Sequence, residues 1–549
     1  MAEEAGQIYF GGEIYTVDDA APEAEAVAVR DGRIVEVGSL AACRAALGEG
    51  YEEIDLGGCA LLPGFIDTHM HPVIAIYFDM NMDLREVTSM RELRDRIGDA
   101  CGKAAPGAWV VGLSFNEQRL ERPRFPTRRD LDAAARENPV MIVRYDGHTV
   151  FANTRAIEEA GLSAATPDPE GGYIDREADG YPAGIFRETA SELIKDRVPV
   201  PDYQAFVEGA ASFSGRLAAY GLTSLGAVLQ TGAEGPAGAQ GAFETVLLQA
   251  LLDHIPQNTY GILIADDAAA VLAARETPLH AEAGGISRRI GGMKIFADGT
   301  FGSLTAAMRE PFSDQPDRRG FFIHTLEELY RRMVAAHLAG LQVAIHTIGD
   351  AANRACIDLY DRLLREYPLE GHRHRLEHAS LLDQAMVEDM ARLGLIASVQ
   401  PLFIHSEREW LHRRLGAERA RWTYPFRSLL DAGVKVAGAS DAPVESADVL
   451  HAIQCCVTRE GFEAEQGISA AEAVRMYTLD AAYAIFAEEE TGSISVGKRA
   501  DLVVLSANPV SVPPERIRDI RVKRTLVGGK TVYASEEAPP SAPVEKQRH

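Results

Sequence analysis

Short apolar runs alternate along the chain with segments of helical periodicity, and glycine, aspartate and serine punctuate the joins. The first sixty residues carry a strand pattern, with runs at 8–10, 13–16, 26–30, 33–37 and 52–55 set apart by Gly-Gly, Asp-Gly and Gly-Ser pairs. Asp31-Gly32 between two alternating runs predicts a two-residue hairpin. The far end repeats this texture at 492–496, 502–505, 520–527 and 530–533, with Gly528-Gly529 as a second turn. Such ends around a long middle predict one small β-sandwich built from 1–60 and 488–534. The tail 535–549 is rich in Pro, Glu and Ser and reads as disordered.

The middle alternates β and α. Apolar runs at 61–67, 221–228, 259–264, 292–297, 342–346, 375–378, 396–400 and 434–439 predict strands. Helical patterns at 326–339, 351–366, 384–393 and 424–432 fall between them. Eight strand candidates in this alternation predict an α/β fold, a (β/α)8 TIM barrel over 61–487. The interval 73–214 is too long for one crossover helix and carries its own strands at 109–113 and 140–145. It reads as an inserted α/β domain covering the barrel mouth. No internal repeat appears at solenoid periods.

Composition narrows the partners. The chain has 549 residues and a formal charge of −26, from 55 Lys and Arg against 81 Asp and Glu. That surface repels phosphate backbones and anionic lipid, which points away from nucleic acid and membrane and towards a small-molecule substrate. Six cysteines without a CxxC make no disulfide framework. The acidic N-terminal stretch lacks a signal-like apolar region, and no apolar run approaches the ~20 residues of a membrane span. A soluble, cytoplasmic protein is expected. An apolar barrel exterior and a two-domain architecture are compatible with a homodimer, although no interface is legible.

The chemistry gathers at strand ends. Residues two apart in an extended chain face the same side, so His69 and His71 can share a cation. Lys294 lies in the fourth strand with Asp298 just past its end, His346 ends the fifth, His378 ends the sixth and Asp441 follows the eighth. Alone, an HxH pair or a strand lysine is ordinary core or surface. A barrel, however, brings the carboxyl ends of its strands to one mouth, where four His, one Asp and one Lys would meet. Borderline cations such as Zn²⁺ favour that mixture. No phosphate-binding Gly-rich loop follows a strand, and no GxSxG elbow supplies an activated serine.

These motifs resemble the amidohydrolase superfamily, specifically its amidohydrolase-3, YtcJ-like branch that includes N-substituted formamide deformylases. The residues responsible are GFIDTHMHP (64–72), KIFADGTFGSLTAA (294–307), HTIGD (346–350), RLEHAS (375–380) and ASDAPV (439–444). YDGHTVFANTRA (145–156), GYPAGIFRE (180–188), GGEIYTVD (11–18) and GSISVGKRADLVVL (492–505) add to it, so the likeness spans nearly the whole chain.

The resemblance implies that His69 and His71 bind the more buried metal, shared with Asp441, and that His346 and His378 hold a second. Lys294, carboxylated on its amine, would bridge two Zn²⁺ ions; a single-metal site without that bridge is the alternative arrangement. A hydroxide held by the cations is the natural nucleophile, with Asp441 as the proton shuttle to the leaving nitrogen. The reaction implied is hydrolysis of a non-peptide C–N bond in an N-substituted amide or formamide. Deamination, lactone opening and ester hydrolysis suit the same site, because substrate choice lives in loops. A catalytically silent scaffold would lack a ligand or Asp441, and none is missing. The resemblance also suggests His148 and Asn153 as substrate contacts. Arg187, Asp298 and Gln400 are weaker candidates, Trp410 and Trp422 are candidates for an apolar wall, and His405 and His412 read as solvated surface.

Overall fold

The structure, a computed structural model, describes residues 6–135, 137–145, 149–169, 172–199, 201–232, 234–236, 238–283, 285–536 and 542–543. Contacts divide the chain into two compact units, one formed by Met1–Val73 with Ser214–His549 and the other by Ile74–Phe213.

In the first unit both ends of the chain build one nine-stranded sheet. Its main path runs Lys530–Ala534, Val522–Val527, Leu502–Leu505, Ala60–Pro63, Gly6–Tyr15, Glu23–Arg30, Arg33–Gly38. The seam between the two ends is antiparallel, with Leu62 opposite Val503. Alternation places Tyr9, Val27, Ile34, Leu61, Leu502 and Leu526 in one buried cluster. Asp31 and Gly32 hold φ of +50° and +75°, the double positive φ that a type I′ hairpin turn demands.

Eight parallel strands form the barrel: Phe65–Met70, Leu222–Gln230, Asn258–Ile264, Ile286–Phe296, Gln342–Thr347, Arg375–His378, Ile396–Val399 and Lys435–Gly438. Seven parallel ladders join them in sequence order. The last and first strands meet through isolated bonds instead of a regular ladder. Asp441 N–H donates to His69 O at 2.8 Å, His71 N–H to Ala442 O at 2.8 Å, and the Thr68 hydroxyl to Gly438 O at 3.1 Å. The α/β barrel class expected from the alternation is therefore present, together with the terminal β-domain and the insert.

Several boundaries differ from the expected ones. The run 61–67 is two strands, because the chain changes partners at Gly64: Ala60–Pro63 pairs with Leu502–Leu505, while Phe65 already pairs with Leu222. Unbroken hydrophobicity conceals a strand that leaves one sheet for another. Residues 492–496 form no strand, although Ile494 is buried in the sheet's core. Within the tail 535–549, residues 537–541 and 544–549 lie outside the described residues, and Ala542 and Pro543 pair with Glu53 and Glu52.

The second unit holds a six-stranded sheet in the order Gly172–Arg176, Pro182–Glu188, Thr149–Ala152, Val140–Arg144, Val110–Phe115, Met82–Asp83. Helix Met90–Lys103, capped by Ser89, lays Leu93 and Ile97 on one face against Val110, Val140 and Ile142. Alternate residues Val111, Met141 and Val150 face Ile157 and Ile194 on the other. Among the described residues, no helix is long and apolar enough to cross a membrane.

Candidate metal centre

His69 and His71 end the first barrel strand and, two apart, turn to the same side. The tight weave of the first and eighth strands brings Asp441 onto them. Its Oδ1 lies 3.2 Å from His71 Nε2 and 3.4 Å from His69 Nε2. On the other side of His69, Lys294 Nζ approaches Nε2 at 3.0 Å. His346 and His378, from the fifth and sixth strands, have ring centroids 4.4 Å apart, and His378 stands 5.3 Å from the His69 ring. All six residues expected to meet at the barrel mouth do meet, and each is at least nine-tenths buried.

Local backbone aims them. His378 and Asp441 hold φ of +73° and +59°, a region disfavoured for residues with a side chain, and both sit just where a strand ends. The fourth and fifth strands are knitted by Asp298, whose carboxylate accepts from the N–H of Ala307 and Gly349 at 2.8 Å and of Ile348 at 3.0 Å. Gly349 permits this close approach: a Cβ there would stand 2.0 Å from Ala307 O. Burial still pushes the Asp298 carboxyl up to about 7, against those three hydrogen bonds. It fixes the turn that carries His346 and, with three backbone donors on it, is corrected from a substrate contact to a positioning group.

The electrostatics suit metal binding. Burial drives His346 down to about 3 and His378 well below the usual imidazole range, so both are neutral and offer a lone pair. Burial lowers His71 as well. Burial also brings the Lys294 ammonium down to about 8, against the pull of Glu377 and Asp441. Burial alone would raise the Asp441 carboxyl, but the His69 and His71 imidazoles beside it override that and hold Asp441 well below the ordinary carboxylate range. One carboxylate and four imidazoles converging in a buried pocket match the donor preference of Zn²⁺-like cations. His69, His71 and Asp441 place their ligand atoms within 4.8 Å of one another, so this trio fits a cation without rearrangement of the fold.

Sequence reasoning missed the group that orients His69. Glu377 is fully buried, bonds His69 Nδ1 through Oε2, and is gripped by Arg375 through Nε and, at 3.0 Å, Nη2. Arg375 Nη2 also reaches Ser398 Oγ and Thr68 O, both at 2.8 Å. Burial works against the Glu377 charge, yet Arg375 and then His69 hold its carboxyl well below the usual range. A carboxylate accepting from Nδ1 leaves Nε2 as the lone-pair face towards the site. The signal was present: Arg-x-Glu inside an otherwise apolar barrel strand puts two charges on one buried face, which requires a purpose.

The remaining candidates separate cleanly. Gln400 is buried at the site, with Oε1 2.8 Å from His378 Nδ1, and Phe403 stacks on the His378 ring at 6.0 Å. Gln400 Nε2 is buried without a protein partner. Asn153, in the second unit, is corrected. Its Oδ1 accepts from Val140 and Ala156, and its Nδ2 donates to Ala135 and Asn138 carbonyls, so its side chain is spent on backbone. Arg187 pairs with Asp175 at 2.9 Å in that unit. His148 lies outside the described residues. Trp410 and Trp422 are half-buried, while His405 and His412 pair with Glu460 and Glu463.

Comparison with known proteins gives the same direction. The pattern described as "Amidohydrolase family" matches residues 52–533. The chain is 31% identical to the Bacillus subtilis (strain 168) protein named amidohydrolase YtcJ, covering 96% of this chain and 99% of that one. It is 30% identical to an N-substituted formamide deformylase of Arthrobacter pascens, covering 95% and 97% respectively. Among solved structures, an uncharacterized metal-dependent hydrolase from Pyrococcus furiosus superposes with a TM-score of 0.72 at 28% identity, over 92% of this chain and all of that one.

Proposed function

The chain belongs to the amidohydrolase family, metal-dependent hydrolases of carbon–nitrogen bonds other than peptide bonds, and we propose that its substrate is a small N-substituted amide or formamide. The observation that carries this reading is the convergence of His69, His71 and Asp441 with His346, His378 and Lys294 on one buried pocket. The likeness to a formamide deformylase over nearly the full length of both chains supports the substrate class.

In this proposal His69, His71 and Asp441 would hold one divalent cation, His346 and His378 would hold a second, and Lys294, carboxylated on Nζ, would supply a further anionic ligand. Zinc is the ion best matched to the donors. A bound cation supplies Lewis acidity, acidifying water and polarising a carbonyl. The chain's own residues do the rest. Glu377 fixes the His69 ring through Nδ1 so that Nε2 faces the site. Asp298 holds the turn after His346. Asp441 stays ionised, takes the proton of the attacking water and delivers it to the departing nitrogen, which leaves poorly unless protonated. Gln400 steadies His378 through Oε1, and its buried amide Nε2 is a donor available to a substrate oxygen.

The test is metal content per chain on fresh protein together with turnover on N-substituted formamides, acetamides, esters and lactones. Metal at the mouth with amide turnover is the expected result, lost on chelation and regained with zinc and bicarbonate. Chelator-insensitive turnover, or turnover confined to esters and lactones, overturns it.

A further inference from the structure

A second group of metal-binding side chains lies outside the set at the barrel mouth. His405 comes from the helix Leu402–Leu415, which follows the seventh strand. His451 and Cys455 come from the helix Val449–Thr458, which follows the eighth. Spaced by four, His451 and Cys455 share one helix face. Beyond that helix the backbone turns left-handed at Arg459 and Glu460, with φ of +53° and +46°, and folds the Glu460 carboxylate back onto the same face.

One oxygen is the hub. Glu460 Oε1 lies 2.9 Å from His405 Nδ1, 3.3 Å from His451 Nε2 and 3.6 Å from Cys455 Sγ. In a tetrahedral zinc site, bonds of about 2.0 Å to N or O and about 2.3 Å to S give ligand–ligand edges of about 3.3 Å for N–O and about 3.5 Å for S–O. The three spacings from Oε1 fall within about 0.4 Å of those edges; His405, His451 and Glu460 also place their ligand atoms within 4.8 Å of one another, and Cys455 joins the group through its contact with Oε1. Arg408 Nη1 holds the other oxygen, Oε2, at 3.0 Å, which neutralises part of the carboxylate's charge, and His405 Nδ1 lies 3.0 Å from that oxygen as well. The His405 side chain is 37% exposed, so a cation can enter from solvent.

We propose that His405, His451, Cys455 and Glu460 form a separate structural site for a zinc-class divalent cation, clamping the segments that follow the seventh and eighth barrel strands. Two imidazoles, a thiolate and one carboxylate oxygen are a four-donor set that leaves no position for substrate, and its soft sulfur excludes Mg²⁺ and Ca²⁺. Loading releases the Cys455 thiol proton to solvent. The clamp sits on the two segments that carry Gln400 and Phe403 on one side and Asp441 on the other.

Cobalt tests this apart from the hydrolytic reading, because the set at the barrel mouth contains no cysteine. Full-length protein stripped of metal and loaded with Co²⁺ is expected to show a near-ultraviolet thiolate-to-cobalt charge-transfer band that titrates to one equivalent per chain and is displaced by Zn²⁺. Cys455→Ser, a conservative change, is expected to abolish the band. His405→Gln combined with His451→Gln is expected to lower bound zinc by one equivalent, by elemental analysis, relative to wild type. Absence of the band in wild type, or its persistence in C455S, overturns the proposal, as does equal zinc content in wild type and the double variant. Amide turnover plays no part in either outcome, so failure of the substrate assignment leaves this test intact.

Discussion

The backbone N–H of Asp441 donates to the carbonyl oxygen of His69 at 2.8 Å, and the same two residues meet again through their side chains, Oδ1 to Nε2, at 3.4 Å. The bond that closes the barrel and the contact that opens its chemistry therefore belong to one pair. The position of Asp441 is set by the barrel's own seam, and a change confined to its side-chain charge leaves the geometry in place.

Asp441→Asn keeps an oxygen for the cation and removes the proton carrier. Turnover is expected to fall by about 10²–10⁴-fold with metal content near that of wild type. Steady-state kinetics beside elemental analysis checks this, and near-normal kcat would remove Asp441 as the proton shuttle.

Glu377→Gln leaves Arg375, fully buried, without its carboxylate. Breaking a buried pair from one side costs about 3–5 kcal/mol, and loss of an orienting partner typically weakens metal binding by about 10–100-fold. A lower melting midpoint together with weaker zinc retention is expected. A variant that melts and binds zinc like wild type would show that His69 needs no such support.

Asn153→Ala separates structure from recognition. Four backbone groups lose their partner, including the cap of the helix Thr154–Glu159, so stability should drop by about 2 kcal/mol or more. KM of the folded enzyme is expected to stay unchanged. A KM raised tenfold without loss of stability would return Asn153 to the substrate.

Glu244 gives a pH signature at the carboxyl end of the second barrel strand. It is 4% exposed, and burial raises its carboxyl to about 7 against a hydrogen bond from Gln230 N–H. Because the folded pKa lies above the unfolded one, the folded state binds more protons between pH ~4.5 and ~7, and stability falls as pH rises through that window. Glu244→Gln abolishes this loss, which is at most about 3 kcal/mol. Its melting midpoint should exceed that of wild type at pH 8 by a few degrees and match it near pH 5. Parallel curves for the two proteins would contradict the assignment.

The fold was legible because its signals are local. Alternating strands and helices, turn pairs such as Asp31-Gly32 and the motifs at strand ends are all read from neighbouring residues. The six residues at the mouth were legible for a further reason: a barrel converts separate positions into one place. What escaped depends on partners distant in sequence. The break at Gly64 is invisible because the residues on either side are equally apolar while their partners, Val503 and Leu222, differ. Asn153 and Asp298 looked like recognition groups because a polar residue beside a motif gives no sign that backbone N–H groups already occupy it. Glu377 carried a signal in Arg375-x-Glu377, but its partner His69 comes from the first strand, and the Glu460 cluster gathers only when the segments after the seventh and eighth strands fold together.

The seam between Ala60–Pro63 and Leu502–Leu505 also sets a timetable for synthesis. A ribosome makes the early strand long before its neighbour exists, so that edge must wait, exposed, while the whole barrel emerges. Barrel ladders join strands adjacent in order and can form as the chain lengthens, whereas the terminal sheet is the slow, long-range closure. Premature arrest of translation would thus release a nascent chain with a sticky apolar edge, and protecting that edge is work for chaperones until the final strands arrive.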